Sequence, residues 1–255
     1  MGRQLIKFIG ALLLFLPLGS VQGQEEEASQ AYWVHEDLVK LSMVSEYEKT
    51  VKELLNLLKT HEIQSSGWIT LNTYDASYSF VSPIKSMADV HQQIFMELSE
   101  KAGKEKVSEI FTRMDKCYDT ELDYIIHLDK ELTYMPYGIT QTPEGQNFRT
   151  MHWLYVSPGN RAVVKEHMTA VKDLFTRKGS PVHYRVYRSG FGTDGEHYLV
   201  AIAAKDALHY ASRSIENDEL LGDEGQAVMS ELFSSLLKYK QKQGEIRPDL
   251  KYAPK

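Results

Sequence analysis

His35 and Asp37 stand two residues apart in the stretch AYWVHEDLVK, residues 31–40. On an extended strand that spacing puts both side chains on one face. An imidazole oriented by a carboxylate is the arrangement that general-base chemistry needs. It is equally what a hydrogen-bonded structural histidine looks like, because residues two apart share a face without necessarily touching. Arg185, in VHYRVYR, offers a planar fork that suits a carboxylate or phosphate, or else a partner for Asp37. Around these polar groups the strand-forming segments are rich in aromatics. Strand alternation, with Val34 and Leu38 toward a helix layer, sets Trp33, His35 and Asp37 on an inner face. The same reasoning turns Trp68, Thr70 and Asn72 inward, and with them Trp153, Tyr155, His183, Arg185 and Tyr187. An aromatic wall carrying a few polar groups is how small-molecule pockets are lined. Interior aromatics also serve simply to pack two sheets together.

Other apparent motifs carry less. Gly190 to Gly195 fits G-x-G-x-x-G, but the strand HYLVAIAA follows it where a dinucleotide site needs a helix. A hairpin around Asp194-Gly195 is the expectation. His91 and His209 sit early in helices, each near an aspartate, and are expected on a surface or in a cap. The remaining histidines have no metal-ligand spacing, so no metal site is expected. No nucleophile elbow is present. Cys117 is the single cysteine, which rules out an intramolecular disulfide and a cysteine-based zinc site. It continues the apolar stripe Val107, Ile110, Phe111, Met114 and is expected as buried filler.

The elements that must position these residues come in two matching sets. With the chain slid by 120 positions, Trp33 falls on Trp153, Val44 on Val164 and Glu46 on Glu166. Val51, Lys52 and Leu54 fall on Val171, Lys172 and Leu174. Composition alone gives about one or two identities in such a window. The sequence Leu-x-Tyr-x-Pro also occurs twice, ending at Pro136 and Pro254. Each set reads strand, helix, strand, strand, helix. The strands are 31–40 and 151–156, then 68–73 with 78–81, and 182–188 with 197–203. Ser45 with Glu48 suggests a capping box for the first helix. An additional helix is expected over 104–130 and 224–241, with Leu132–Met135 and Leu250–Ala253 as short fourth edge strands. The domains expected are a first α+β repeat at 31–136, a linker at 137–150 and a second α+β repeat at 151–254.

That order of elements, the tryptophan-bearing first strand and the duplication resemble the dimeric α+β-barrel superfamily. It includes antibiotic-biosynthesis-monooxygenase-like and NIPSNAP-like proteins. The resemblance implies two ferredoxin-like repeats packed sheet to sheet within one chain, an intramolecular pseudo-dimer with an extra helix in each repeat. It implies a pocket between the repeats, lined by Trp33, His35, Trp68, Trp153, Tyr155, Arg185 and Tyr187. Because the superfamily includes monooxygenases and haem-degrading enzymes, His35 becomes a candidate base or axial ligand. Haem enters only through this resemblance, since the sequence carries no cofactor motif. Three readings stay open: a binder of a small apolar or aromatic ligand, a monooxygenase-like or haem-handling enzyme, and a non-catalytic interaction module.

The beginning of the chain reads as an export signal. Arg3 and Lys7 precede the apolar run Phe8 to Leu18, and Val21-Gln22-Gly23 supplies small residues for cleavage. The run is too short for a bilayer span, so a periplasmic or secreted protein without a transmembrane segment is expected. Removing residues 1–23 takes Arg3 and Lys7 with them and moves the net charge from −6 to −8. An acidic chain has no electrostatic attraction to nucleic acid. Residues 24–30, with Glu25 to Glu27, read as a disordered acidic start of the mature chain.

Overall fold

A computed structural model describes residues 29–90 and 93–254. The expected signal peptide, nearly all of the acidic segment after it, and His91 lie outside the described residues. Strand β1 (Ala31–Val39) leads through a 3-10 turn into helix α1 (Val44–Thr60). The hairpin β2 (Ile69–Thr73) and β3 (Ser77–Ile84) follows, then α2 (Gln93–Ala102), α3 (Lys104–Met114) and β4 (Tyr118–Tyr134). The second half runs β5 (Phe148–Tyr155), α4 (Arg161–Lys178), β6 (Tyr184–Ser189), β7 (His197–Ala204), α5 (Ala207–Ser235) and β8 (Lys238–Ile246). All eight strands close into one antiparallel barrel in the order β1-β3-β2-β8-β5-β7-β6-β4. Each half therefore contributes its strands in the order fourth, first, third, second. The seams are β2 against β8 and β4 against β6. The halves are thus joined edge to edge as well as facing one another across the barrel.

The helices expected over 104–130 and 224–241 stop early. α3 ends at Met114 and α5 at Ser235, and the polar stretches beyond them are β4 and β8. Charge-rich segments such as KYKQKQGEI have little strand propensity of their own. Pairing on both sides overrides that, because β8 lies between β2 and β5. The fourth strands are consequently long, and Leu132–Tyr134 is only the end of β4. Leu250–Ala253 forms no strand beyond a single bridge from Tyr252 to Trp68. The capping box also fails. α1 has no side-chain cap, and Glu48 instead accepts from the Tyr78 hydroxyl at 2.8 Å and pairs with Arg247.

Apolar side chains gather in three places. One cluster lies between the first-half sheet and α1–α3 and includes Tyr47, Leu54, Leu58, Trp68 and Ile110. A second lies under α4 and α5 and includes Val164, Met168, Leu174 and Val186. The third fills the barrel itself with Tyr32, Val34, Ile126, Leu128, Met151 and Tyr187. An eight-stranded barrel is just wide enough for side chains to fill it. The pocket expected between the two repeats is therefore occupied by packing.

The two Leu-x-Tyr-x-Pro stretches cross over. Leu132 and Tyr134 are buried in the second-half helix core, while Leu250 and Tyr252 are buried in the first-half one. Tyr134 donates to the carbonyl of Ser180 at 3.1 Å, and Tyr252 donates to that of Ile63 at 2.6 Å. Ile63 and Ser180 each bond back to the last turn of the preceding helix. Each half thus stoppers the helix layer of the other.

The structure corrects the 120-residue alignment at its start. α1 begins at Val44 and α4 at Arg161, 117 positions apart, and the 3-10 turns before them begin at Leu41 and Pro158 with the same spacing. A three-residue slip barely disturbs a helical stripe, which is why Val51 and Leu54 still met apolar partners. Three is odd, however, so the same slip turns every strand side chain to the opposite face. Trp33 and Trp153 are accordingly not counterparts. Trp33 faces the helix layer and Trp153 packs against the barrel interior. His35, moved by 117, falls on His152.

Candidate functional site

The face assignment for β1 and β2 is reversed in the structure. Val34 and Leu71 point into the barrel, and Trp33, His35, Asp37 and Trp68 point out beneath α1–α3. Barrel strands covered by helices are apolar on both faces, so alternation alone does not say which face is which. β5 and β6 do follow the expectation: Trp153 and Tyr187 join the barrel interior, opposite Leu154, Tyr184 and Val186.

The outward turn of β1 builds a polar cluster. His35 sits opposite Asp123 in the β1–β4 register. Its Nδ1 lies 3.0 Å from Asp123 Oδ1, and its Nε2 lies 3.2 Å from Asp37 Oδ1. Trp33 Nε1 donates to the same Asp123 oxygen at 2.8 Å. Asp37 is 1 % exposed, and its Oδ2 accepts from the hydroxyl of Tyr47 on α1. Its Oδ1 makes no well-aligned hydrogen bond, and its approach to His35 is an ion-pair contact. Burial is the largest influence on His35 and works to lower its pKa. Hydrogen bonds and charge from Asp37, then Asp123, outweigh it and lift the imidazole to about 9. At neutral pH His35 is a cation held between two carboxylates. Burial, then Asp37, holds the Tyr47 phenol well above its ordinary value, so Tyr47 stays a neutral donor.

This cluster forms the polar end of a cleft of about 210 Å³ between the sheet and the three helices. Its walls are Leu54, Trp68, Phe80, Phe95, Phe111 and Met114. Trp68 and Phe80 meet edge to face at 5.9 Å, and Phe95 and Phe111 do so at 4.9 Å. Past Trp33, Phe95 and Phe111 the cleft continues into a broader open groove. α2 and α3 can both line it because the chain breaks at Gly103, where φ is +92° and a side chain would be strained.

Of the residues expected to share a site, Trp33, His35 and Trp68 meet here. Trp153, Tyr155, Arg185 and Tyr187 do not. Tyr155 lies at a barrel end under Lys238 and Lys240, and Tyr187 packs edge to face on Tyr32 at 5.9 Å. Arg185 donates to the carbonyl of Thr140 at 2.8 Å beside a cavity of the second half, while Asp37 lies in the first-half cleft against Tyr47, so the two do not pair. Asp123, Tyr47, Phe80, Phe95 and Phe111 were missed. The signal for Asp123 was the alternation in DTELDYIIHLD, which a helical reading of 104–130 hides.

A matching cleft of about 160 Å³ lies in the second half under α4 and α5, lined by His152, Leu154, Met168, Phe175, Met229 and Tyr239. Its chemistry differs. His152 Nδ1 is 2.7 Å from the Tyr239 hydroxyl, and burial alone lowers its pKa to about 4. His152 is neutral.

No protein-family profile and no curated protein sequence matches the chain. Solved structures do. An anthrone oxidase-like protein aligns with a TM-score of 0.60 at 10% identity, over 87% of this chain and 92% of the other. A putative monooxygenase from Lactobacillus acidophilus aligns at 0.52 and 9% identity, covering 89% and 97%. A point mutant of the chlorite dismutase from Candidatus Nitrospira defluvii aligns at 0.52 and 12% identity, covering 88% and 93%. All three are dimeric α+β barrels. The present chain has that fold.

Within this dimeric α+β barrel the clefts can be tested for haem. Iron needs a neutral imidazole with a free lone pair. His35 has both nitrogens facing carboxylates and keeps its proton. Both clefts are also smaller than the roughly 300–1,000 Å³ of drug-sized ligand sites, so haem does not fit either as they stand. His35, Asp37 and Glu121 bring three donor atoms within 4.8 Å of one another. A divalent cation there would first have to displace the His35 proton. The hairpin expected at Gly190 to Gly195 does link β6 and β7, and Asp206 caps α5 by accepting from the His209 amide at 2.7 Å. Cys117 is buried, as expected. No helix among the described residues is long and apolar enough to cross a membrane.

Proposed function

We propose that the first-half cleft binds a small, largely aromatic molecule and that His35 and Asp37 manage a proton at its polar end, in a monooxygenase-like reaction. One observation carries this reading: a cation fixed between carboxylates closes a cleft whose remaining walls are mostly apolar and aromatic. A phenol or other weakly acidic aromatic would place its acidic group there. Asp37 Oδ1, free of any aligned donor, accepts the proton, and the imidazolium of His35 stabilises the electron-rich anion. Dioxygen is the oxidant such an anion requires. The likeness to structures described as anthrone oxidase-like and putative monooxygenase favours this class over haem chemistry.

Trp33 and Trp68 line the cleft and Trp153 does not, so tryptophan fluorescence reports occupancy. Titration with polycyclic phenols is expected to quench it, and an oxygen electrode is expected to show uptake that His35→Gln abolishes. Quenching without uptake supports the second reading, a non-catalytic binder. Absence of both overturns the assignment.

The same proposal covers architecture and export. The chain is read as two fused α+β repeats, 31–136 and 151–254, joined by the linker 137–150. Support comes from the equivalent strand order of the halves, the crossed Tyr134 and Tyr252 contacts, and Gly103 and Gly222, both at positive φ between helical segments. Residues 1–23 are read as a cleaved export signal, and N-terminal sequencing of exported protein should begin at Gln24.

A further inference from the structure

The second half holds a charge problem that the cleft chemistry does not use. Arg149 on β5 and Arg185 on β6 are each 3 % exposed. They flank β7 two residues apart along it, Arg149 opposite Ala203 and Arg185 opposite Ala201. Each therefore raises the cost of the other's charge, and the Arg149 guanidinium is pushed down to about 9, first by burial and then by Arg185. No carboxylate contributes at either guanidinium among the described residues. The neighbouring phenols supply no counter-charge. Burial raises Tyr187, and it pushes Tyr32 up to about 12, so both are neutral. Two adjacent buried cations without an anion are costly unless something pairs with them.

The segment after β4 meets part of the need. Arg149 donates to the carbonyls of Gln141, Gln146 and Phe148, and one Nη of Arg185 donates to that of Thr140. Arg149 is thereby spent as a staple for residues 141–148. Arg185 has donors to spare, and it borders a cavity of about 200 Å³ at the barrel mouth. His183, Gln146, Tyr137, Ala201 and Ala203 also line that cavity. The two alanines leave open the space that larger side chains on β7 would fill.

We propose that this mouth is a binding site for a small oxyanion, a carboxylate or a phosphate, held by the Arg185 fork with Arg149 behind it. An oxyanion there faces the Arg185 guanidinium, with the charge of Arg149 behind it, and offers the two acceptor oxygens that a guanidinium grips side by side. The site is separate from the His35 cleft, which opens on the outer face of the other half of the barrel.

Isothermal titration of the full-length chain with sodium phosphate and with sodium benzoate, against sodium chloride at equal ionic strength, tests the site. Saturable binding of phosphate alone identifies the phosphate class, of benzoate alone the carboxylate class, and of both a general oxyanion site. Arg185→Gln is expected to weaken binding at least tenfold. Ala203→Leu, which fills the cavity and leaves both guanidiniums in place, is expected to do the same, and it decides the matter where Arg185→Gln does not fold. No saturable heat with either anion, or unchanged affinity in folded Ala203→Leu, overturns the proposal.

Discussion

His35 and His152 occupy matched places, 117 positions apart like the helices α1 and α4 that follow them, and each lies beneath the helices of its own half. Their surroundings diverge at nearly every neighbour. On the fourth strand of its own half His35 faces Asp123, whereas His152 faces Gln241. Two residues along, Asp37 opposite Glu121 becomes Leu154 opposite Tyr239. On the covering helix, Tyr47, which donates to Asp37, gives way to Val164. One backbone arrangement therefore carries an imidazolium at about 9 in one half and a neutral imidazole at about 4 in the other. The lesson is that the barrel supplies the cleft and two acidic residues, Asp37 and Asp123, supply the charge. The second half keeps the first and lacks the second.

That contrast can be broken most severely by giving the second cleft a charge it cannot support. Leu154→Asp buries a carboxylate beside a neutral imidazole, with Val164 where the first half has Tyr47, and it is expected to cost about 3–5 kcal/mol in urea unfolding. Next in size is His35→Gln. The folded pKa of His35 lies above the unfolded value, so its contribution is complete below pH 6.5 and lost as pH rises through about 9. At about 1.4 kcal/mol per unit the ceiling is about 3 kcal/mol. His35→Gln should be less stable than wild type by about 2–3 kcal/mol at pH 6, with the gap closing by pH 9.5.

His152 should behave with the opposite sign. Its folded pKa is depressed, so the unfolded chain takes up the proton first, and stability present above pH 6.5 is lost as pH falls toward 4. His152→Gln is expected to flatten that acid limb by about 2 kcal/mol relative to wild type. Asp123→Asn should have the smallest effect. Its carboxylate is about half exposed, so less than about 1 kcal/mol is expected, together with a lower His35 pKa.

How much of this was legible depends on the periodicity involved. The element order, the β2–β3 and β6–β7 hairpins, the buried Cys117 and the residues Trp33, His35 and Trp68 could be read from spacing and turn residues. The face of β1 could not. The helix stripe of α1 tolerates a three-residue slip that a strand does not, so a match anchored on Val51 and Leu54 carried Trp33 onto Trp153. β4 and β8 were hidden for a different reason. Their polar residues suit a solvated helix locally, and only the closure of the barrel makes them strands. Asp123 was lost with β4, and without it His35 looked like a candidate base. Between Asp37 and Asp123 it is an acid.

The direct test is a proton NMR titration of the histidine ring signals, with His35 and His152 assigned from the spectra of His35→Gln and His152→Gln. The charged cleft and its neutral counterpart predict that His35 keeps its proton to about pH 9 and that His152 does not take one up until about pH 4. Two rings titrating together near 6.5, or in the reverse order, would contradict the account.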